Sequence, residues 1–312
     1  MVKTRMGLGS KKKKLKSYWG ELEGNVLQKI FELVPAEDLM TSVSLVCREW
    51  RSACWEIMFW KDHETLELST LKRLVGCEIE NLNYSRKLLE ALKCMMNWVP
   101  KMDSGRRCVK TIIFSSCMYV RYVHLSFVAR RSPKLRRLIL PDTDDIRVRK
   151  ISKAIELWGE LEEVRIGPIC RYNTGHLFRT IGTNCNKFKK LGIFGAFCMK
   201  KFVLDEHGAS MIANNLHQLI EFSIDRTFIT KSGVKTLLST CKNLQEFSLK
   251  RCCRMVHPSK LRTTNKISAK ITRIQVVNDC TKYYWFIDTV STHMSIEELV
   301  THMWADFSPI DG

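Results

Sequence analysis

No stretch of this sequence approaches the ~18 consecutive apolar residues that a membrane-spanning helix needs, so a bilayer-embedded protein is not expected. A glycine-rich phosphate loop is missing, and so are His-Glu-x-x-His and Gly-x-Ser-x-Gly. Those absences remove the usual ways of building a nucleotide site, a zinc protease or a serine hydrolase. Thirteen cysteines are present, an odd number, scattered along the chain, and no two stand as Cys-x-x-Cys. They read as free thiols in a reducing compartment, with no metal and no cofactor implied. Cys252 and Cys253 are adjacent and read as buried or incidental. The histidines, at positions 63, 124, 176, 207, 217, 257, 293 and 302, are dispersed and suit surface or helix roles better than general-base roles. The chain is not expected to catalyse a reaction itself.

Acidic residues are also in short supply: 32 stand against 51 Lys and Arg, a net charge of +19 over 312 residues. That length leaves room for one or two domains, and the 45% apolar share is that of a folded protein. Lysines at 11–14 and 16 form a run that suits a solvated tail or a nuclear-localisation signal, so nucleus and/or cytoplasm is the expected location. Ser17-Tyr18-Trp19 follows the run where a secretory signal would need an apolar core, so such a signal is not expected. Further basic residues gather at Arg130, Arg131, Lys134, Arg136 and Arg137, and from Lys250 to Arg273. Basic clusters attract phosphate without specificity, but no stacking motif or recognition-helix pattern accompanies them, and nucleic acid is not the expected partner.

The stretch from Trp19 to Trp60 is patterned as three consecutive apolar helices. Leu22, Val26, Leu27, Ile30, Phe31 and Val34 recur at three- and four-residue steps. Pro35 fits a first-turn position, with Glu37 and Asp38 where a helix N-terminus favours negative charge. Val43, Val46, Cys47, Trp50 and Cys54 form a third stripe. So short a segment cannot hide this many large apolar side chains by itself. It must pack on the rest of the chain or on a partner.

The order Leu22, Leu27-x-x-Ile30-Phe31, Asp38-Leu39, Val46-Cys47-Arg48-x-Trp50-Arg51, Trp60-Lys61 resembles an F-box, the adaptor-binding module of cullin-type ubiquitin ligases. The proline that usually follows the family's first Leu is replaced by Glu23. By that resemblance Leu22, Leu27, Ile30, Leu39, Val46, Cys47 and Trp50 are the expected docking group for a Skp1-like adaptor. Cys47 has a packing role in the family.

Further along, apolar-x-x-apolar-x-apolar occurs seven times. The copies are Val109/Ile112/Phe114, Leu135/Leu138/Leu140, Leu161/Val164/Ile166 and Phe188/Leu191/Ile193, then Leu219/Phe222/Ile224, Leu244/Phe247/Leu249 and Ile271/Ile274/Val276. Successive copies are 26, 26, 27, 31, 25 and 27 residues apart, which is the leucine-rich-repeat signature. Linking segments such as Val120/Val123/His124/Phe127/Val128, Ile151/Ala154/Ile155/Trp158 and Val234/Leu237/Leu238/Cys241 have helical spacing. Each unit is thus a strand and a helix, and units must stack to hide their apolar faces. Cys185 and Cys241 each precede a strand's first apolar position by three residues, resembling the cysteine-containing repeats that often follow an F-box, where the cysteine is core.

The expected fold class is therefore α/β: an N-terminal three-helix module followed by a curved solenoid of strand–helix units. Residues 1–17 read as a basic flexible tail, 18–65 as the F-box, and 66–108 as linker and N-terminal cap, with Leu66-x-Leu68 a degenerate first strand and Leu88, Leu92, Met95, Met96 and Val99 an amphipathic helix. Residues 109–281 read as repeats, with a loop inserted over 252–270, and 282–312 as the closing cap, where Ser295-x-x-Glu298 is a capping box.

Strand alternation sends the third, fifth and seventh positions of each repeat to the concave surface. Ile113, Arg137, Ile139, Arg165, Lys190 and Phe194 are the candidate target-binding residues there, with an acidic segment suited to Arg137, Arg165 and Lys190. The mixed sign of this face favours a protein over nucleic acid, whose groove should be uniformly positive. The whole resembles a plant-type F-box/leucine-rich-repeat protein, which implies a non-catalytic substrate receptor of a Skp1–cullin–F-box ubiquitin ligase, joined through its adaptor to a cullin–RING core. Two alternatives stand beside it: a basic nuclear nucleic-acid-binding protein, and a co-receptor in which a small hormone-like molecule fills the concave face.

Overall fold

Every apolar residue of the seven triplets is buried, none more than 9% exposed, and this one fact organises the fold. The structure is a computed structural model that describes residues 22, 24–60, 62, 64–68, 82–97, 108–116, 118, 120–143, 146–196, 198, 200–254, 271–278 and 283–287. The chain divides into two compact units, residues 1–58 and 59–312.

The first unit carries α1 (Gly24–Phe31), α2 (Ala36–Thr41), a 3-10 turn (Val43–Leu45) and most of α3 (Arg48–Phe59). Pro35 caps α2 from one residue outside it, where its missing N–H costs no helical bond. The expected third stripe is divided. Val43 falls in the 3-10 turn, Val46 and Cys47 connect, and regular helix starts only at Arg48.

In the second unit, β1 (Thr65–Glu67), β2 (Thr111–Ile113), β3 (Arg137–Leu140), β4 (Glu163–Ile166), β5 (Lys190–Phe194), β6 (Glu221–Asp225), β8 (Glu246–Lys250) and β10 (Arg273–Asn278) pair in parallel. Among the described residues they and β11 (Tyr283–Ile287), which runs antiparallel to β10, make one nine-stranded sheet. A two-stranded ribbon of β7 (Phe228–Ile229) and β9 (Cys253–Arg254) lies apart from it. Ile112, Leu138, Val164, Leu191, Phe222, Phe247 and Ile274 are successive partners across the sheet, so the repeat read in the sequence is the register of the fold.

The helices α4 (Leu82–Asn97), α5 (Tyr122–Arg131), α6 (Val148–Ile155), α7 (Thr174–Asn184), α8 (Glu206–Asn215) and α9 (Lys231–Thr240) pack each on the next. Leu88, Leu92 and Met95 are buried on α4, while Val99 lies outside the described residues. On α5 the inward side is His124, Leu125, Val128 and Ala129; Val123, expected there, is exposed. The longest step, 31 residues, is taken up by the connection from β5 to α8, whose Phe202, Val203 and Leu204 are buried.

One turn recurs before β3, β4, β5, β6 and β8. The N–H groups of Leu135, Leu161, Phe188, Leu219 and Leu244 donate to the carbonyls of Ser132, Trp158, Cys185, Leu216 and Cys241 at 3.1 to 3.2 Å. Cys185 and Cys241 sit in this turn and are buried, Cys185 aiming its Sγ at the Trp158 carbonyl, 3.5 Å away. Burial pushes both thiols up, to about 12 and about 11, which suits core residues and not nucleophiles. Most of the expected inserted loop, and the capping box at 295–298, lie outside the described residues.

Candidate docking surfaces

The first unit has too few residues to bury two apolar faces, and α1 has two. Leu27 and Phe31, four apart, point inward at 3% and 2% exposure. The Phe31 ring meets Trp50 of α3 edge-on, centroids 5.2 Å apart. Leu39, Cys54 and Met58 complete the buried apolar set of this unit. The connection to α3 is tied down locally: Cys47 Sγ accepts the Trp50 N–H at 3.4 Å, and Arg51 Nε donates to the Ser44 carbonyl at 2.9 Å. The Cys-Arg-x-Trp-Arg run thus holds the module's own turn in shape.

Along its other side α1 exposes Val26 and Ile30, with Leu33 just beyond the helix at 87% exposure, again at steps of four and three. Leu45 and Val46 are exposed in the turn before α3, at 69% and 59%. These five are most of the exposed large apolar side chains among the described residues. Of the docking group expected from the sequence, Ile30 and Val46 are therefore exposed, Leu22, Cys47 and Trp50 are half-buried, and Leu27 and Leu39 are interior. Val26, Leu33 and Leu45 were not in that group. The signal for two of them was present in the sequence, since apolar residues at 26, 30 and 33 repeat beside those at 27 and 31.

On the sheet of the second unit, Ile113, Ile139 and Arg165 are neighbours in one row across β2, β3 and β4. Arg137 and Lys190 lie in the adjacent row with Glu163 between them, and Phe194 partners Asp225 in a third. The three cations offered for an acidic segment are already engaged. Arg137 Nε lies 2.9 Å from Glu163, Arg165 reaches Glu163 at 2.6 Å and Glu221 at 3.3 Å, and Lys190 holds Glu221 at 2.6 Å. The hydrogen bond to Glu221 is the main reason the Lys190 ammonium titrates above its ordinary range. An incoming carboxylate would have to compete with these pairs, so this face offers little uncompensated positive charge.

The same holds at other basic positions. Arg136 approaches Glu160 and Glu162 at 3.9 and 3.7 Å, Lys187 lies 3.4 Å from Glu160, and Arg273 lies 3.8 Å from Glu246. Asp225, nearly buried, takes two bonds from Arg251, one of them 2.8 Å long. Residues 11–16 and most of the stretch from Lys250 to Arg273 lie outside the described residues.

Residues 25–64 match the F-box-like family. An F-box/LRR-repeat protein of Arabidopsis thaliana is 32% identical over 181 residues, 57% of this chain and 56% of the relative, so the alignment spans little more than half of that relative. F-box/LRR-repeat protein 22 of the same plant is 24% identical over 236 residues, covering 76% of this chain and 70% of the relative. The F-box protein SKIP19, also from Arabidopsis thaliana, is 22% identical over 238 residues, covering 75% and 69%.

Proposed function

We propose that this chain, a plant-type F-box/leucine-rich-repeat protein in its motifs and its fold, is a substrate-recognition subunit of a Skp1–cullin–F-box ubiquitin ligase. The observation that carries the reading is the second apolar face of α1. Val26, Ile30 and Leu33 are left in water while Leu27 and Phe31 fill the interior. Exposed apolar surface of this kind is what partner interfaces are made of. A Skp1-like adaptor is the partner that the family match supports, and a cullin–RING core would be reached through it.

The repeats would hold a target protein whose lysines are thereby kept near a ubiquitin-loaded enzyme. The contribution is effective concentration, not bond chemistry. Target contact on the sheet falls to Ile113, Ile139 and Phe194, the half-buried apolar members of the candidate set, with the paired Arg137, Arg165 and Lys190 supplying shape and register. The lysine run at 11–16 favours work in the nucleus as well as the cytoplasm.

The test is co-purification of the full chain with a Skp1-type protein. Ile30→Glu together with Leu33→Glu should abolish it and leave the far-UV spectrum and melting temperature unchanged. Retained binding by the folded double variant would refute the reading. A nucleic-acid reading predicts instead an affinity that falls steeply with salt, whereas apolar docking to the adaptor should change little between low and moderate ionic strength.

A further inference from the structure

Between α7 and α8 lies an open cleft of about 450 Å³. Gly175 shapes it: a Cβ there would stand 3.1 Å from Met211 Sδ, so the thioether of α8 lies against bare helix backbone. One wall is a single face of α7 and the turn before it, carrying Tyr172, His176 and Arg179 at steps of four and three. His207, one turn before Met211, forms the other wall.

The cleft is braced before anything enters it. Arg171 is ion-paired with Asp205, whose other oxygen accepts the Gly208 N–H at 2.8 Å and caps α8. His176 Nδ1 lies 3.0 Å from Ser152 Oγ on α6. Besides Tyr172, the ionisable side chains in the lining are two arginines and two histidines, and none is a carboxylate. Tyr172 stands 85% exposed at the mouth. Cations, an exposed phenol and a thioether in one cleft suit a ligand offering both carboxylates and an apolar side chain.

We propose that this cleft receives an acidic peptide segment of the target, with carboxylates toward Arg179 and His207 and an apolar side chain against Tyr172 and Met211. The proposal rests on the substrate-receptor reading and moves the acidic contact from the sheet, where the cations are already paired, to the helix side of the repeats. Asp205 and the exposed Glu206 at the start of α8 interrupt the positive track that a nucleic-acid strand would need.

Fluorescence anisotropy on the full chain tests it, using a short labelled peptide of alternating Glu and Leu. The same peptide with Lys for Glu, a single-stranded oligonucleotide of equal charge, and inorganic phosphate as competitor complete the set. The acidic peptide should bind. Arg179→Glu should weaken it by about tenfold or more, and Tyr172→Ala, at an exposed site that cannot unfold the chain, should weaken it measurably. Lys242→Glu, exposed in the turn before β8, should leave it unchanged.

No binding of the acidic peptide overturns the proposal, as does equal loss in Lys242→Glu, which would mean diffuse attraction only. Tighter binding of the oligonucleotide, or full displacement by phosphate, overturns it in favour of a phosphate site. Adaptor pull-down on the same preparations separates the two readings. Peptide failure with adaptor retained sinks the cleft alone, and adaptor failure with peptide retained sinks the ligase reading alone.

Discussion

Arg165 on β4 reaches across the whole of β5 to hold Glu221 on β6 at 3.3 Å, and it can do so because residue 192, on the strand between them, is glycine. A Cβ at Gly192 would stand 2.7 Å from Arg165 Cγ and 3.1 Å from Ser223 Oγ. The absent side chain is thus what joins Glu163, Arg165, Glu221 and Lys190 into one alternating network.

Gly192→Ala should therefore destabilise the second unit, by about 1–2 kcal/mol, because the added methyl forces the guanidinium off its path. In an Arg165→Ala background the same change should become neutral or slightly stabilising, since glycine weakens a strand interior when nothing needs its space. A double-mutant cycle by urea unfolding reads the difference. Equal costs in the two backgrounds would show that Gly192 does not serve Arg165.

The sequence made the strands legible because an apolar-x-x-apolar-x-apolar triplet repeated at near-constant steps can be buried in only one register. Leu138, Val164 and Leu191 then align without further information. It could not show which cations were already paired, because the Arg165–Glu221 contact joins residues 56 apart over an intervening strand. Nor could it sort Leu27 from Ile30. When both sides of a short helix are apolar, periodicity shows two stripes and leaves open which of them faces in. The α7–α8 cleft was hidden for a related reason. Tyr172, Arg179 and His207 look like ordinary surface residues until α8, short of large apolar residues, is placed beside α7.

The two stripes of α1 should separate in experiment. Leu27→Ala removes an interior side chain and should cost about 2–5 kcal/mol, lowering adaptor recovery only in proportion to the module that unfolds. Ile30→Glu with Leu33→Glu should abolish recovery with little loss of stability, because Leu33 is 87% exposed and Ile30 42%. Thermal melts run beside adaptor titrations would decide it. A destabilised Ile30/Leu33 variant, or a Leu27 variant that is stable but cannot bind, would reverse the assignment of faces.

Thiol labelling should divide the cysteines the same way in the native chain. Burial pushes Cys54, Cys185, Cys241 and Cys252 up to about 11, 12, 11 and 12. Near pH 8 these four are protonated as well as enclosed, and only a thiolate attacks iodoacetamide. They should label only after unfolding, while the half-buried Cys47, Cys108, Cys170, Cys198 and Cys253 label ahead of them. Mass spectrometry of timed aliquots would show the order, and early modification of Cys185 would contradict its place in the turn before β5.

His124 gives the solenoid's first helix pair a pH dependence. Its Nδ1 accepts the Arg121 N–H at 2.8 Å, and its Nε2 lies 2.8 Å from the Ser85 carbonyl, joining α5 to α4. Those partners define a neutral ring that donates from Nε2, and a protonated ring could no longer accept from Arg121. Burial, assisted by the Arg121 charge and opposed by the Ser85 carbonyl, lowers its pKa below the ordinary 6.5. The folded state therefore prefers the neutral form. Its contribution is complete above pH 6.5 and is lost as the pH falls below that value, with a slope of at most about 1.4 kcal/mol per pH unit. Urea unfolding of wild type between pH 7.5 and 5.5 should show this loss, and His124→Leu, though less stable throughout, should show a flatter profile. The remaining histidines and carboxylates titrate alike in both proteins, so the difference between the two curves isolates His124. Parallel curves would mean that its buried neutral ring carries no linkage to folding.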